Sequence, residues 1–92
     1  MDRFRDSASE RVFEGRPVRR LPAEIQRRAR MRLQRVVAAT ALSDLRLPPS
    51  HRLKALSGDR KGQHSIRIND QWRVCFRWTD RDAREIEVTD YH

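Results

Sequence analysis

Halfway along this chain the hydrophobic residues change their spacing, and that change limits the fold more than any other feature. From Ala23 to Ala39 the apolar residues Ile25, Ala29, Leu33, Val36 and Val37 recur three and four positions apart. That is the period of one helical face. The other face carries Arg27, Arg28, Arg30, Arg32 and Arg35. Further on, the period falls to two. Ile66 and Ile68 alternate with Ser65 and Arg67; Trp72, Val74, Phe76 and Trp78 alternate with Arg73, Cys75 and Arg77; Ile86 and Val88 alternate with Glu85, Glu87 and Thr89. Asn69-Asp70 and Asp80-Arg81-Asp82 read as turns between these runs. Three alternating runs with short turns predict an antiparallel meander with one buried face.

The remaining segments fit around these elements. Arg3-Phe4-Arg5 reads as a short edge strand. Ser7 or Ser9 is placed to cap a short helix over Glu10 to Glu14, which Gly15 and Pro17 end. Pro22 suits the first turn of the long helix. A further helical turn is expected around Ala41 to Leu45, stopped by Pro48-Pro49. Leu53 and Leu56 flank a segment that runs into the polar loop from Ser57 to Gly62. The chain has no internal repeat and no linker, so residues 1–92 are expected to form a single domain. The expected architecture is α+β, with N-terminal helices packed on a small, mainly antiparallel sheet.

Charge narrows the function classes. The chain holds 21 basic and 13 acidic residues, a formal net charge of +8, which favours polyanionic partners and nucleic acid first among them. Charge alone leaves a merely solvated surface equally open. Cys75 is the one cysteine, so no intrachain disulfide and no cysteine cluster for zinc can form. The charged start Met1-Asp2-Arg3-Phe4-Arg5 lacks the apolar run of a signal peptide. The stretch from Val36 to Ala39 is too short to span a bilayer. The expectation is a soluble cytoplasmic protein without membrane contact. His51 and His64 lack metal-ligand spacing, so neither a metal nor a cofactor is expected.

If Trp72, Val74, Phe76 and Trp78 take the core, Arg73 and Arg77 stand on the other sheet face with Arg67 of the neighbouring strand. Such a platform suits phosphate binding. The loop adds Arg60 and Lys61 between two glycines, and Lys54 precedes it. Trp72 and Trp78 could stack on bases, but their spacing sends them inward. Cys75, without a base partner, reads as a small filler. The chain ends Asp90-Tyr91-His92. His92 can exchange a proton near neutral pH, although strand parity points it toward the core with Ile86 and Val88 unless the end bends past the sheet edge.

The block from Arg52 to Gln63, the block from Ser65 to Trp78 and the ending Asp90-Tyr91-His92 together resemble HigB-type toxins of the RelE superfamily. Phe13-Glu14-Gly15 and the helix layout extend the resemblance to the N-terminal half. The resemblance implies the toxin of a type II toxin–antitoxin module, a ribosome-dependent endoribonuclease that cleaves messenger RNA in the ribosomal A site without a metal. It implies a helix-turn-helix, HigA-like antitoxin, with operator DNA reached only through that antitoxin. Carried over residue by residue, it makes His92 the acid or base, Arg73 the group on the scissile phosphate, and Tyr91 and Asp90 their orienting neighbours. Gln71 falls where relatives contact a base. Arg60, Lys61, Arg67 and Arg77 would hold the RNA. Some relatives have a histidine where Lys54 stands and a lysine where Ser57 stands. Lys54 supplies charge there but moves protons poorly at neutral pH unless its pKa is depressed. The alternatives are a non-catalytic RNA- or ribosome-binding module on the same scaffold and, more weakly, a DNA-binding protein, for which no helix-turn-helix pairing is visible.

Overall fold

The computed structural model describes residues 3–90. Two helices precede a four-stranded sheet, and they pack on one of its faces, so the fold is α+β. The first helix, α1, covers Ser7–Phe13. Its cap is Asp6, one residue ahead of the serines that the sequence suggested. Asp6 has extended backbone angles, and its carboxylate accepts the Ser9 N–H at 2.8 Å. A carboxylate at this position also meets the positive end of the helix dipole. Ser9 is instead buried, and its Oγ accepts the backbone N–H of Val88 at 2.9 Å, tying the helix to the last strand. Gly15, at a φ of +82°, supplies the left-handed turn beyond the helix.

The second helix, α2, covers Ala23–Ala38 and buries Ala29, Leu33 and Val36 as its spacing requires. Its arginine face is partly tied down. Arg28, Arg32 and Arg35 donate to the carbonyls of Ile68, Arg67 and Leu47 at 3.3, 3.0 and 2.9 Å. The expected turn after α2 is a 3-10 turn over Leu42–Arg46. Asp44 holds its start by accepting the N–H groups of Thr40 and Ala41 at 3.1 Å. These bonds favour the carboxylate and lower the Asp44 pKa. The two prolines do more than stop it, since Pro49–His51 forms a second 3-10 turn.

The sheet has one strand more than the alternation revealed. Its order is β1 (Lys54–Ala55), β2 (Gln63–Arg67), β3 (Trp72–Thr79) and β4 (Asp82–Asp90), every pair antiparallel. A two-residue strand is too short to display a period. The expected N-terminal strand is a single parallel bridge from Phe4 to Ile86 on the far side of β4, flanked by two 2.8 Å backbone bonds. A bulge interrupts β4: Glu85 and Ile86 together face Phe76, and Glu85 takes a φ of +51°. The bulge lets both Ala83 and Ile86 face the core although an odd number of positions separates them. Phe76, Leu33, Leu45, Ile66, Ile68, Val74 and Val88 fill that core, Trp72 is buried at its edge, and Trp78 is half-buried against it.

Candidate active site

The face of the sheet turned away from the helices holds the residues that the sequence put forward. Strand register lines up Lys54, Ser65, Cys75 and Glu87 in one row across β1 to β4. The centre of this row is not an open platform. Ser65 and Cys75 are fully buried, and Gln63 and Glu87 nearly so. Arginines lie over the row: Arg73 bonds Ser65 Oγ, Arg5 pairs with Glu87 at 3.5 Å, and the Arg60 side chain comes from the 3-10 turn Gly58–Arg60. Its guanidinium reaches from Gln63 Oε1 on β2, at 3.0 Å, to Glu87 Oε2 on β4, at 3.1 Å. β3 lies between those strands, so the arm crosses it at Cys75. Burial pushes the Cys75 thiol up, Glu87 adds to the shift, and the cations Arg60 and Arg73 oppose it. A buried thiol held protonated is a filler and not a nucleophile.

Arg73 stands beside this row with its guanidinium fixed along one edge. Its Nε donates to Ser65 Oγ at 2.7 Å, and an Nη2 hydrogen goes to the Arg52 carbonyl at 2.8 Å. Arg52 is in the left-handed region, φ 47° and ψ 53°, which is uncommon without a glycine. Both acceptors are neutral oxygens, so neither bond cancels the positive charge. A rigid strand and two fixed bonds are what a phosphate-holding arginine requires. One residue away, Trp72 pairs with Asp90 in the register, and Asp90 Oδ2 accepts a 3.0 Å bond from Gln71 Nε2. Arg73, Gln71 and, across the sheet, Lys54 therefore share one end of the sheet with Asp90, which has the strand parity of the opposite face and reaches Gln71 at the sheet's end. Tyr91 and His92 lie outside the described residues.

The other expected RNA contacts divide. Lys61 is exposed on the loop. Arg67 is paired with Asp70, and Arg77 with Glu85 at 3.2 Å, so part of the platform's charge is already answered by carboxylates. Gly62 has a specific reason to be glycine. At a φ of +94°, a Cβ there would sit 2.6 Å from Arg77 Nη1. Ser65, Arg52 and Glu87 were not distinguished by the sequence: the first and last read as outward polar residues, and nothing local marks a left-handed arginine. No group of three or more His, Cys, Asp or Glu placed to hold a metal occurs among the described residues. Among them, too, no helix is long and apolar enough to cross a membrane.

Comparison with known proteins gives the family. A family model for RelE-like toxins of the HigB type II toxin–antitoxin system matches residues 2–92. The chain belongs to that family. It is 41% identical over 78 residues to Toxin HigB-1 of Vibrio cholerae, covering 84% of this chain and 82% of the relative. It is 32% identical over 89 residues to the Endoribonuclease HigB of Proteus vulgaris, covering 97% and 96%. An uncharacterized protein of Haemophilus influenzae is 24% identical over 86 residues, 92% and 85% of the two chains. As a HigB-family toxin of a type II system, the chain has an antitoxin as its partner.

Proposed function

We propose that this HigB-family chain is a messenger-RNA endoribonuclease that acts in the ribosomal A site and thereby inhibits translation. The observation that carries the reading is Arg73, held on a rigid strand by bonds to Ser65 Oγ and the Arg52 carbonyl beside the Gln71–Asp90 pair. A relative of nearly the same length is named an endoribonuclease, which supports it.

The chemistry needs no metal from these residues. The 2′-oxygen of one nucleotide attacks the adjacent phosphorus, the bond to the 5′-oxygen breaks, and a cyclic phosphate and a 5′-hydroxyl remain. The protein aligns the attack, moves two protons and stabilises the charge that gathers on the phosphoryl oxygens. Arg73 supplies that stabilisation. His92 serves as acid or base, with Tyr91 and Asp90 orienting the groups around it. Lys54 adds a cation at the same end, and Gln71 reads a base. Lys61 holds neighbouring phosphates, as do Arg60, Arg67 and Arg77 to the extent that their acidic partners release them.

The substrate puts the protein in the cytoplasm. The antitoxin would be a helix-turn-helix, HigA-like protein that also carries the toxin to operator DNA. The test is induced expression followed by primer-extension mapping of messenger-RNA ends, with and without Arg73→Ala. New ends within translated codons, lost with Arg73→Ala, are expected. Growth arrest without new ends would favour a non-catalytic ribosome-binding module.

A further inference from the structure

Next to the Arg73 site the surface opens into a cleft of about 650 Å³ between β1 and the 3-10 turn Leu42–Arg46. This size lies within the range of about 300–1,000 Å³ usual for small-molecule sites. Three cations line it, Arg46, Arg52 and Lys54, and no acidic residue among those described does. Leu42 and Leu53 give it an apolar wall. His64 closes one side. The His64 ring stacks on Phe76, with centroids 6.2 Å apart, and its Nδ1 is buried with no hydrogen-bond partner among the described residues.

We propose that this cleft receives one nucleotide of the RNA strand, adjacent to the nucleotide whose phosphate lies on Arg73. The inference rests on the reading of the chain as an RNA-cleaving toxin. Arg46 and Arg52 hold the phosphate, and the base lies against Leu42, Leu53 and His64. Arg52 joins the two places: its carbonyl fixes Arg73 while the residue itself lines the cleft. A strand leaving Arg73 across the β1 edge enters the cleft directly. Cations beside an apolar wall match a nucleotide, which carries an anionic phosphate and a stackable base on one short unit.

The test uses the full chain and a 2′-O-methyl RNA hexamer, which binds but cannot be cut through its 2′-oxygen. Arg46→Glu reverses an exposed charge, and Ser43→Trp fills the cleft from its exposed rim. Each is expected to weaken hexamer binding about tenfold, the scale of one lost charge-assisted contact, with melting temperature unchanged. The hexamer is also expected to move the His64 ring resonances in NMR spectra. If Arg73→Ala weakens binding and the two cleft variants do not, the cleft proposal fails and the RNA reading stands. If Arg73→Ala itself binds the hexamer like the wild type, the RNA reading fails. Two further results overturn the strand assignment while both cleft variants keep full hexamer affinity. His64 resonances that respond to AMP alone would make the cleft a free-nucleotide site, and a response to hexaglutamate would give it to an acidic peptide.

Discussion

Ser65 Oγ, fully buried in β2, accepts the Nε–H of Arg73 on β3 across a diagonal of the sheet. The bond fixes the plane of the guanidinium and leaves its charge intact. Ser65→Ala is expected to slow single-turnover cleavage about ten- to a hundredfold, the cost of a misplaced but present group. RNA affinity should stay within about twofold, because the charge remains. Ser65→Thr keeps the hydroxyl and should restore most of the rate. Arg73→Ala should abolish cleavage while the protein stays folded. If Ser65→Ala lowers the melting temperature but leaves the rate of the folded protein untouched, Ser65 only packs.

Arg60 and Lys61 are neighbours that should behave differently. Arg60 bridges Gln63 and Glu87 over the buried row, and only about a quarter of its side chain is exposed, 26%. Arg60→Ala is expected to destabilise the protein by about 1–3 kcal/mol through lost hydrogen bonds to a charged group. Lys61 is exposed on the loop. Lys61→Ala should leave melting unchanged, weaken RNA binding and lower the slope of log affinity against log salt by about one phosphate contact. Urea titration and salt-dependent binding of both variants check this. Equal slopes for wild type and Lys61→Ala would remove Lys61 from the RNA contacts.

The elements that repeat their pattern several times were legible before the structure. α2 shows more than four turns of one apolar face, and β2 to β4 each alternate long enough to be read. β1 was not, because two residues have no period. The bulge was not, because the residue at φ +51° is Glu85 and not a glycine or asparagine that would have marked it. Alternation sent Ser65, Cys75 and Glu87 outward, which is right for the face and wrong for exposure, since arginine side chains from Arg60, Arg73 and Arg5 lie on this row. Arg73 was legible as a charge on a rigid strand. Its acceptors were not, because the Arg52 carbonyl turns toward it only through a backbone angle that no residue type there announces.

His51 makes stability fall in mild acid. It is fully buried, and its Nδ1 lies 3.2 Å from the Leu45 carbonyl, an acceptor, so the proton of the neutral ring sits on Nδ1. Burial lowers its pKa, Arg32 and Arg35 lower it further, and the Leu45 bond partly opposes them. The unfolded chain takes up this proton near the ordinary value of about 6.5, and the folded protein only at lower pH. The folded state therefore keeps its full stability above that value and loses it as pH falls below it. Melting temperature should drop from pH 7 toward pH 5. His51→Gln should melt lower at pH 7 but with a flatter pH profile. Parallel profiles for the two proteins would show that other groups govern the acid limb.

The end of the chain offers the sharpest division between chemistry and packing. Asp90 shares the parity of Val88, yet Val88 is buried and Asp90 is exposed, bonded to Gln71 at 3.0 Å. The catalytic role proposed for His92 and the inward packing that strand parity suggests predict different outcomes. Deleting His92, or changing it to Gln, is expected to slow cleavage about 100-fold or more, the scale of one lost proton-transfer group. RNA affinity should change little, because a neutral imidazole adds little to the attraction of a basic face. Melting should change little too if His92 acts in proton transfer and not in the core. Melting temperature, hexamer affinity and single-turnover cleavage measured on one deletion variant separate the outcomes. Unchanged cleavage rejects the proton-transfer role, and a large fall in melting temperature assigns His92 to the core.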